Sequence, residues 1–303
     1  MENESPPPAE QRSTETCFVC GDAADSEEHI IPKWLQGRYD LWNQRIRLPN
    51  DTTIAYRQLK IPCCKDCNNN VLSRLETRVQ RGDATDQELW KWAAKIHFGL
   101  TRKDDFLAWD RRHPGYTIGQ VLDRDDPLEL DRHLVHSIYG GFQTHPDPFG
   151  SVYRFEFAED VGYHFAHLMA PAGIAIGFGN VGYVVFIRDS GTLRRQPSVE
   201  GMYQEHFPNA HPGKMMNFFA NAWVHLYRYR ASFPILMTPN SIAILGAPKL
   251  IEELEFTNEQ FRELWSYLMD DPEAKIVGIE EYHSTNGVVK REPPDSGVPG
   301  AGS

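Results

Sequence analysis

The sequence lacks three things: cysteine beyond its first quarter, an uninterrupted apolar run of membrane-spanning length, and an overall excess of basic charge. All five cysteines lie at or before Cys67. Such clustering favours metal ligation over a disulfide framework, which would spread crosslinks along the chain. The acidic, proline-rich start shows no signal peptide, and no stretch reads as a membrane span. We therefore expect a soluble, cytoplasmic protein of a reducing compartment, with no membrane partner.

The net charge of −11 argues against a nucleic-acid partner until its distribution is considered. Residues 30–81 hold ten Lys or Arg against four acids, a local charge of +6, whereas residues 1–29 carry −7 and residues 82–303 carry −10. A solvated mixed surface is the alternative explanation of this one basic segment. The side chains that we expect to contact nucleic acid are Lys33, Arg38, Lys65, Arg74 and Arg78.

The chain is long enough for two domains. We predict disordered tails at residues 1–15 and 292–303, because both are rich in residues that cannot build a core. Between them, the composition indicates a zinc-binding domain at 16–82 and a larger α+β domain at 83–291 with a mostly antiparallel sheet. Periodicity predicts helices at 71–82, 87–100, 128–138, 214–229 and 258–269, and strands at 52–61, 152–157, 164–169, 174–178 and 183–187.

Two Cys-x-x-Cys pairs stand more than forty residues apart. Each pair places two thiolates on one tight turn, and two such turns complete a tetrahedron around zinc. The spacing predicts a closed structural zinc site formed by Cys17, Cys20, Cys64 and Cys67. Cys63 could replace Cys64 as a ligand, but it is better explained as a small buried neighbour.

An acid and a histidine lie between the cysteine pairs, and an asparagine follows the second pair. Hydrolysis of a phosphodiester needs an activated water and a cation to neutralise developing charge. The oxygens of Glu28 and Asn68 suit a hard divalent cation, and His29 can take the proton of the water. In a regular strand Glu28 and His29 would point to opposite faces, so a bend is needed to bring them to one site.

The order Cys-x-x-Cys, Glu28-His29-Ile30-Ile31-Pro32, Cys-x-x-Cys-Asn68 resembles the HNH endonucleases. The most similar are the variants that end in Asn, as in the recombination endonuclease VII type, together with bacterial HNH proteins of unassigned role. The resemblance covers residues 17–76, about a fifth of the chain. It implies a treble-clef-like ββα-metal domain in which Glu28 and Asn68 ligate catalytic Mg²⁺ or Mn²⁺ and His29 is the general base. The products would be a 5′-phosphate and a 3′-hydroxyl.

The chain departs from that family pattern in two places. The long interval between His29 and Asn68 predicts an insertion between the two strands. The middle Asn of the family, which orients the histidine, has no single match; Asn50 is our candidate, with Asn43 second. If the helix starts one residue later, Asn69 takes the place of Asn68 as the cation ligand. Glu76, eight residues beyond Asn68, either approaches the metal or, as we favour, is a solvated helix acid that pairs with neighbouring Arg.

The sequence thus predicts a metal-dependent endonuclease that acts on nucleic acid, DNA first, through residues 16–82. The acidic second domain favours a sensing or regulatory role through protein contacts or self-association. The alternative is a non-catalytic zinc module that binds nucleic acid or protein, and an RNA-cleaving toxin is a third hypothesis.

Overall fold

The computed structural model describes residues 16–122, 128–139, 143–206, 210–232, 234–245 and 249–269. Both predicted tails lie outside these residues, as does the end of the second predicted domain. The helices are α1 (Lys33–Arg38), α2 (Ser73–Arg81), α3 (Asp86–Asp104), α4 (Ile118–Val121), α5 (Leu128–Tyr139), α6 (Pro197–His206), α7 (Pro212–Arg228) and α8 (Asn258–Met269). No described helix combines the length and apolarity needed to cross a membrane.

The strands are short except in one sheet, and with the helices they confirm a mixed α+β fold. They are β1 (Ser26–His29), β2 (Arg45–Arg47), β3 (Thr53–Ala55), β4 (Lys60–Cys63), β5 (Ala108–Asp110), β6 (His113–Thr117), β7 (Gln143–His145), β8 (Ser151–Glu156), β9 (Tyr163–Met169), β10 (Ala172–Phe178), β11 (Val181–Phe186), β12 (Tyr229–Ser232), β13 (Ile235–Thr238), β14 (Ser241–Ile244) and β15 (Lys249–Glu253).

The main sheet is antiparallel, in the order β8-β11-β10-β9. Its side chains alternate between two buried faces, as the pleat of a strand requires. Ile174 and Ile176 face one apolar cluster together with α3, while Ala175 and Val184 face another together with α7. The sheet is therefore sandwiched between helices. At Gly182 an added Cβ would lie 2.5 Å from Sδ of Met215, so the close approach of α7 requires glycine there.

Helix α3 is the structural centre of the N-terminal half. Its capping box satisfies two amides at the start of the helix, those of Thr85 and Glu88. Residues 92–101 of this helix are all buried, because α3 packs against α2, α5, β4 and the main sheet. The same apolar cluster contains Val19, Ile61 and Val79 before residue 82, and Trp92 and Ile174 after it. Packing is thus continuous across the predicted boundary at residue 82.

The segment that carries the cysteines folds as a β-β-helix unit. Strands β1 and β4 pair antiparallel, with His29 opposite Lys60. The continuous strand predicted at 52–61 is wrong, because a 3₁₀ turn at Tyr56–Gln58 separates β3 from β4. The 30 residues between β1 and β4 hold α1 and the β2–β3 hairpin, which corresponds to the predicted insertion.

The helix that begins within the second cysteine pair, at Lys65, contains a π-helical stretch. Residues Cys67–Leu72 are π-helical, and α2 continues from Ser73 until Gly82, whose φ of 76° ends it in the left-handed region. The wider π-helical turn changes the angular position of Asn68 relative to an ideal helix. Leu72, Leu75 and Val79 are buried at helical spacing along one face.

Candidate functional site

Four thiols converge at one end of the β1–β4 pair. The sulfurs of Cys17, Cys20, Cys64 and Cys67 all lie within 4.8 Å of one another. The Sγ atoms of Cys20 and Cys64 are 3.8 Å apart. A tetrahedron with Zn–S bonds of about 2.3 Å has edges of about 3.8 Å, so the four sulfurs fit a zinc ion. Among the described residues this is the one His/Cys/Asp/Glu group that is arranged to hold a metal.

The backbone around the thiols explains this convergence. Gly21 has a φ of 83°, and its amide donates to the carbonyl of Cys17 at 2.8 Å, which closes the first turn. The carboxylate of Asp25 accepts from the amide of Lys65 at 2.8 Å, which ties the second turn to the chain that follows the first. One main-chain hydrogen bond and one hydrogen bond from a main-chain amide to a carboxylate therefore position the two Cys-x-x-Cys turns.

Electrostatics disfavour four thiolates at these positions unless a cation is bound. A hydrogen bond with Cys63 lowers the pKa of Cys17 to about 4, whereas burial raises the pKa of Cys20 to about 12. Burial also raises the pKa of Cys67. Four thiolates cannot ionise together at this separation without a positive ion among them. The cluster can bind a metal such as zinc.

Cys63 is buried and its Sγ lies 3.7 Å from that of Cys17. It is nevertheless outside the group of four sulfurs that are mutually close. This placement matches the predicted role of a small buried neighbour.

An open cleft of about 380 Å³ lies beside the cysteine cluster. Its walls come from β1, α1, the π-helical turn and α2. The cleft brings together three of the four predicted catalytic residues, Glu28, His29 and Asn68, and it also contains the alternative Asn69. A second cleft of about 210 Å³, between the β2–β3 hairpin, α3 and α8, contains none of these residues.

A buried ammonium group lies behind the wall of the cleft, where it contacts two of the acids that line it, and no motif predicted it. Nζ of Lys95, on α3, lies 2.5 Å from Oε1 of Glu28 and 3.1 Å from Oε1 of Glu76. It also donates to the carbonyls of His29, at 2.7 Å, and Ile30, at 3.1 Å. The Lys95 side chain is 1% exposed. The sequence offers one indication of this role: Lys95 is one of two lysines in the otherwise largely apolar stretch from Leu89 to Leu100.

The predicted role of Glu76 as a solvated helix acid is wrong. Its side chain is 17% exposed and its partner is Lys95. Burial raises the pKa of Glu76 to about 7, although the ammonium of Lys95 acts in the opposite direction. Glu76 therefore belongs to the cleft, where it shares a cation with Glu28.

His29 is 6% exposed and is held by Gln36 of α1. Nε2 of Gln36 lies 3.2 Å from Nδ1 of His29 and 2.7 Å from the carbonyl oxygen of Ile31. Because the carbonyl of Ile31 can only accept, the Gln36 nitrogen must face it, and Nδ1 of His29 is then also an acceptor. The resting imidazole thus carries its proton on Nε2. Burial lowers the pKa of His29 to about 4, and Lys33, Lys60 and Lys95 add to this effect.

A hydrogen bond to β1 fixes the orientation of the Asn68 side-chain amide. Its Nδ2 donates to the carbonyl oxygen of Glu27 at 3.0 Å, and a longer contact of 3.4 Å reaches Oγ of Ser26. The amide oxygen of Asn68 is therefore the atom that remains for a ligand. This orientation suits the predicted role in cation binding.

The structure does not bring Asn50 to the cleft. Nδ2 of Asn50 donates to the carbonyl of Trp109 at 2.7 Å, and its Oδ1 accepts from Thr52, so this residue shapes the β2–β3 turn and anchors it to β5. Oδ1 of Asn43 accepts from Arg57 in an exposed loop. Gln36 instead contacts the histidine, and neither spacing nor residue type predicted this.

The basic residues predicted to contact nucleic acid are all exposed, but they are spread over the surface. Lys33 lines the cleft. Arg38 pairs with Asp160 at 3.2 Å, Lys65 with Asp25 at 3.2 Å and Arg78 with Glu88 at 3.1 Å. Surface ion pairs of this kind contribute about 0–1 kcal/mol, so phosphate can replace the carboxylates at little cost.

Comparison with known proteins gave no match: no family model, no curated protein and no solved structure is significantly similar to this chain. Function therefore has to be argued from the site itself.

Proposed function

We propose that the protein is a metal-dependent endonuclease of the HNH type, with a ββα-metal, treble-clef-like unit at residues 16–82. The observation that carries this proposal is the convergence of Glu28, His29 and Asn68 in one cleft beside the four-thiol cluster. Zinc at the thiols would hold the two cysteine turns together and so fix both walls of the cleft. Nucleic acid, DNA first, is the proposed substrate.

The donor atoms that face the cleft fit a divalent cation. Lys95 binds Oε1 of Glu28, so a cation would share this carboxylate with the ammonium, and the contact to Glu27 leaves Oδ1 of Asn68 as a second donor. A carboxylate oxygen and an amide oxygen suit Mg²⁺ or Mn²⁺. When bound, such an ion stabilises negative charge on the phosphate and on the leaving oxygen.

His29 is the proposed general base. Its low pKa keeps the imidazole neutral at pH 7 and able to accept a proton from water. In the resting tautomer the unprotonated nitrogen is Nδ1, on the Gln36 side. The proposal therefore requires the contact with Gln36 to be exchanged for a water molecule during turnover.

Plasmid nicking tests this proposal. The zinc-loaded chain should convert supercoiled plasmid to open circles with Mg²⁺ or Mn²⁺, and His29→Ala should abolish this while retaining one zinc per chain. His211→Ala, which changes an exposed histidine outside the cleft, is the control. Single-stranded RNA tested in parallel distinguishes a ribonuclease from a deoxyribonuclease. If both plasmid and RNA remain intact with every divalent metal tested, the proposal is contradicted.

The second candidate is a non-catalytic zinc module that binds nucleic acid or protein. The observation that favours it is that Lys95 already neutralises Glu28 and Gln36 already occupies Nδ1 of His29. Retained nucleic-acid binding without cleavage, unchanged in His29→Ala, would support this candidate. The residues beyond 82 supply Lys95 from α3, so in either case the second part of the chain helps to build the cleft, which is consistent with a regulatory role.

A further inference from the structure

One large aromatic side chain stands open to solvent next to His29. Trp42 is 43% exposed, and its ring centroid lies 5.7 Å from that of His29 with the planes inclined by 37°. The other six tryptophans are buried or half-buried. Much of the indole therefore contacts solvent, and a ligand could cover this apolar surface.

The loop that presents Trp42 is tied down on both sides. The amide of Leu41 donates to the carbonyl of Gln36 at 2.9 Å, and the amide of Tyr56 donates to the carbonyl of Gln44 at 3.0 Å. The guanidinium of Arg57 bonds to the carbonyl oxygen of Trp42 and to the side chain of Asn43. The indole is thus held in place before any ligand arrives, which lowers the ordering cost of a stacking contact.

A row of arginines continues from Trp42 along the β2–β3 hairpin. Arg45 and Arg47 are two residues apart on β2, so they lie on the same face of the strand, and both are exposed. Arg57 lies in the 3₁₀ turn after β3, and Arg111 reaches the same hairpin through the carbonyl of Thr53 at 3.4 Å. Asp51 pairs with Arg47 at 2.9 Å in an exposed ion pair that phosphate can displace.

We propose that Trp42 and the arginine face of the β2–β3 hairpin form a subsite for single-stranded DNA. One unpaired base stacks on the indole beside His29, and the sugar-phosphate backbone follows Arg57, Arg45 and Arg47. This inference rests on the proposed nuclease function for its meaning in catalysis, because it names the form of nucleic acid that the cleft would receive.

The choice of single strands follows from the chemistry of stacking. A base inside a duplex already stacks on both neighbours and offers the protein only its edges. An unpaired base has a free π-face, and an aromatic side chain beside arginines is the usual platform for it. The arginines alone would bind any phosphate backbone, so Trp42 is the residue that confers the preference.

The test measures binding of the zinc-loaded chain, in buffer without Mg²⁺ or Mn²⁺, to fluorescein-labelled oligothymidine and to a duplex of equal length. Stacking contributes about 1–3 kcal/mol per base, so Trp42→Ala should weaken oligothymidine binding at least about fivefold and leave duplex binding unchanged. Trp42→Phe, which retains a ring, should restore most of the affinity. Tyr139→Ala removes an aromatic of similar exposure (44%) on α5 and should have no effect.

The contribution of the arginines is measured separately, from the dependence of affinity on salt concentration. Replacing both Arg45 and Arg47 by Gln should reduce the slope of log affinity against log salt concentration by about 1.4, since each phosphate contact to a single strand contributes about 0.7. Oligothymidine affinity equal to wild type in Trp42→Ala, or equal loss for single strand and duplex, would overturn the inference. Its failure is distinct from that of the nuclease proposal, because Trp42-dependent binding can persist in a chain that nicks no plasmid, and nicking can persist without it.

Discussion

Nζ of Lys95 lies 2.5 Å from Oε1 of Glu28, across 67 positions of sequence, in a pocket where the lysine side chain is 1% exposed. Removal of one partner from a buried ion pair costs about 3–5 kcal/mol, since it leaves an uncompensated charge. Lys95→Met should therefore lower the free energy of unfolding by about this amount, as measured by urea denaturation. Glu76, which shares the same ammonium, adds to the effect.

Lys103→Met is the matched control for Lys95→Met. Lys103 lies on the same helix and is half-buried, but its Nζ donates to the carbonyl oxygen of Lys60 at 3.0 Å. A single hydrogen bond from a charged group contributes about 1.5–3 kcal/mol, so the loss in Lys103→Met should be smaller than that in Lys95→Met. Changing Glu28 and Glu76 to Gln in the Lys95→Met chain should recover part of the loss, because neutral amides need no counter-ion. Equal losses in Lys95→Met and Lys103→Met would show that the carboxylates do not depend on Lys95.

The zinc content of cysteine variants should distinguish the four ligand cysteines from Cys63. Replacing Cys17, Cys20, Cys64 or Cys67 by Ser removes one of the four mutually close sulfurs. Each of these variants should lose zinc and unfold more readily, since metal binding contributes to folding free energy. Cys63→Ser should retain one zinc per chain, as measured by atomic absorption. Loss of zinc in Cys63→Ser together with its retention in Cys64→Ser would mean that Cys63, and not Cys64, is the fourth ligand.

Local patterns in the sequence predicted the local parts of the site. The spacing of the cysteines led to the thiol cluster, and periodicity located helices such as Asn258–Met269 and the strands of the main sheet. Lys95 and Gln36 were missed because their roles depend on tertiary packing: Lys95 reaches β1 only because α3 crosses beneath it. Asn50 was selected by residue type alone, and residue type does not report which of several loop asparagines faces the histidine.

The tautomer of His29 is a direct consequence of its contact with Gln36. Nε2 of Gln36 donates to the carbonyl oxygen of Ile31 at 2.7 Å and approaches Nδ1 of His29 at 3.2 Å. Long-range ¹H–¹⁵N NMR spectra of the zinc-loaded chain should therefore show His29 protonated on Nε2. Gln36→Leu should allow the Nδ1-protonated form to appear. It should also cost about 1–3 kcal/mol, because the buried carbonyl of Ile31 loses its donor.

Gln36→Glu is the informative counterpart of Gln36→Leu. A carboxylate at this position accepts from Nδ1–H and so favours the opposite tautomer, with Nε2 unprotonated. Protonation at Nδ1 in the unmodified chain, with no change in either variant, would show that Gln36 does not set the tautomer.

His225 should make stability depend on pH in a defined window. It lies half-buried on α7 with its ring 4.7 Å from that of Tyr229, and burial lowers its pKa below 6.5, with Arg228 adding to the effect. Below pH 6.5 the unfolded chain then binds more protons at this position than the folded chain does. The free energy of unfolding therefore rises with pH through this window. The contribution of His225 is complete above pH 6.5 and is lost as the pH falls through the lower pKa of the folded state.

Urea denaturation above and below pH 6.5 measures this contribution when the wild-type chain is compared with His225→Gln. The glutamine variant loses the ring contact with Tyr229 at every pH, so its overall stability is lower throughout. Its loss of stability on acidification should be smaller than that of the wild type, because glutamine takes up no proton on unfolding. Identical losses in the two chains would mean that His225 can be protonated in the folded state as readily as in the unfolded chain, and that burial on α7 does not exclude its charge.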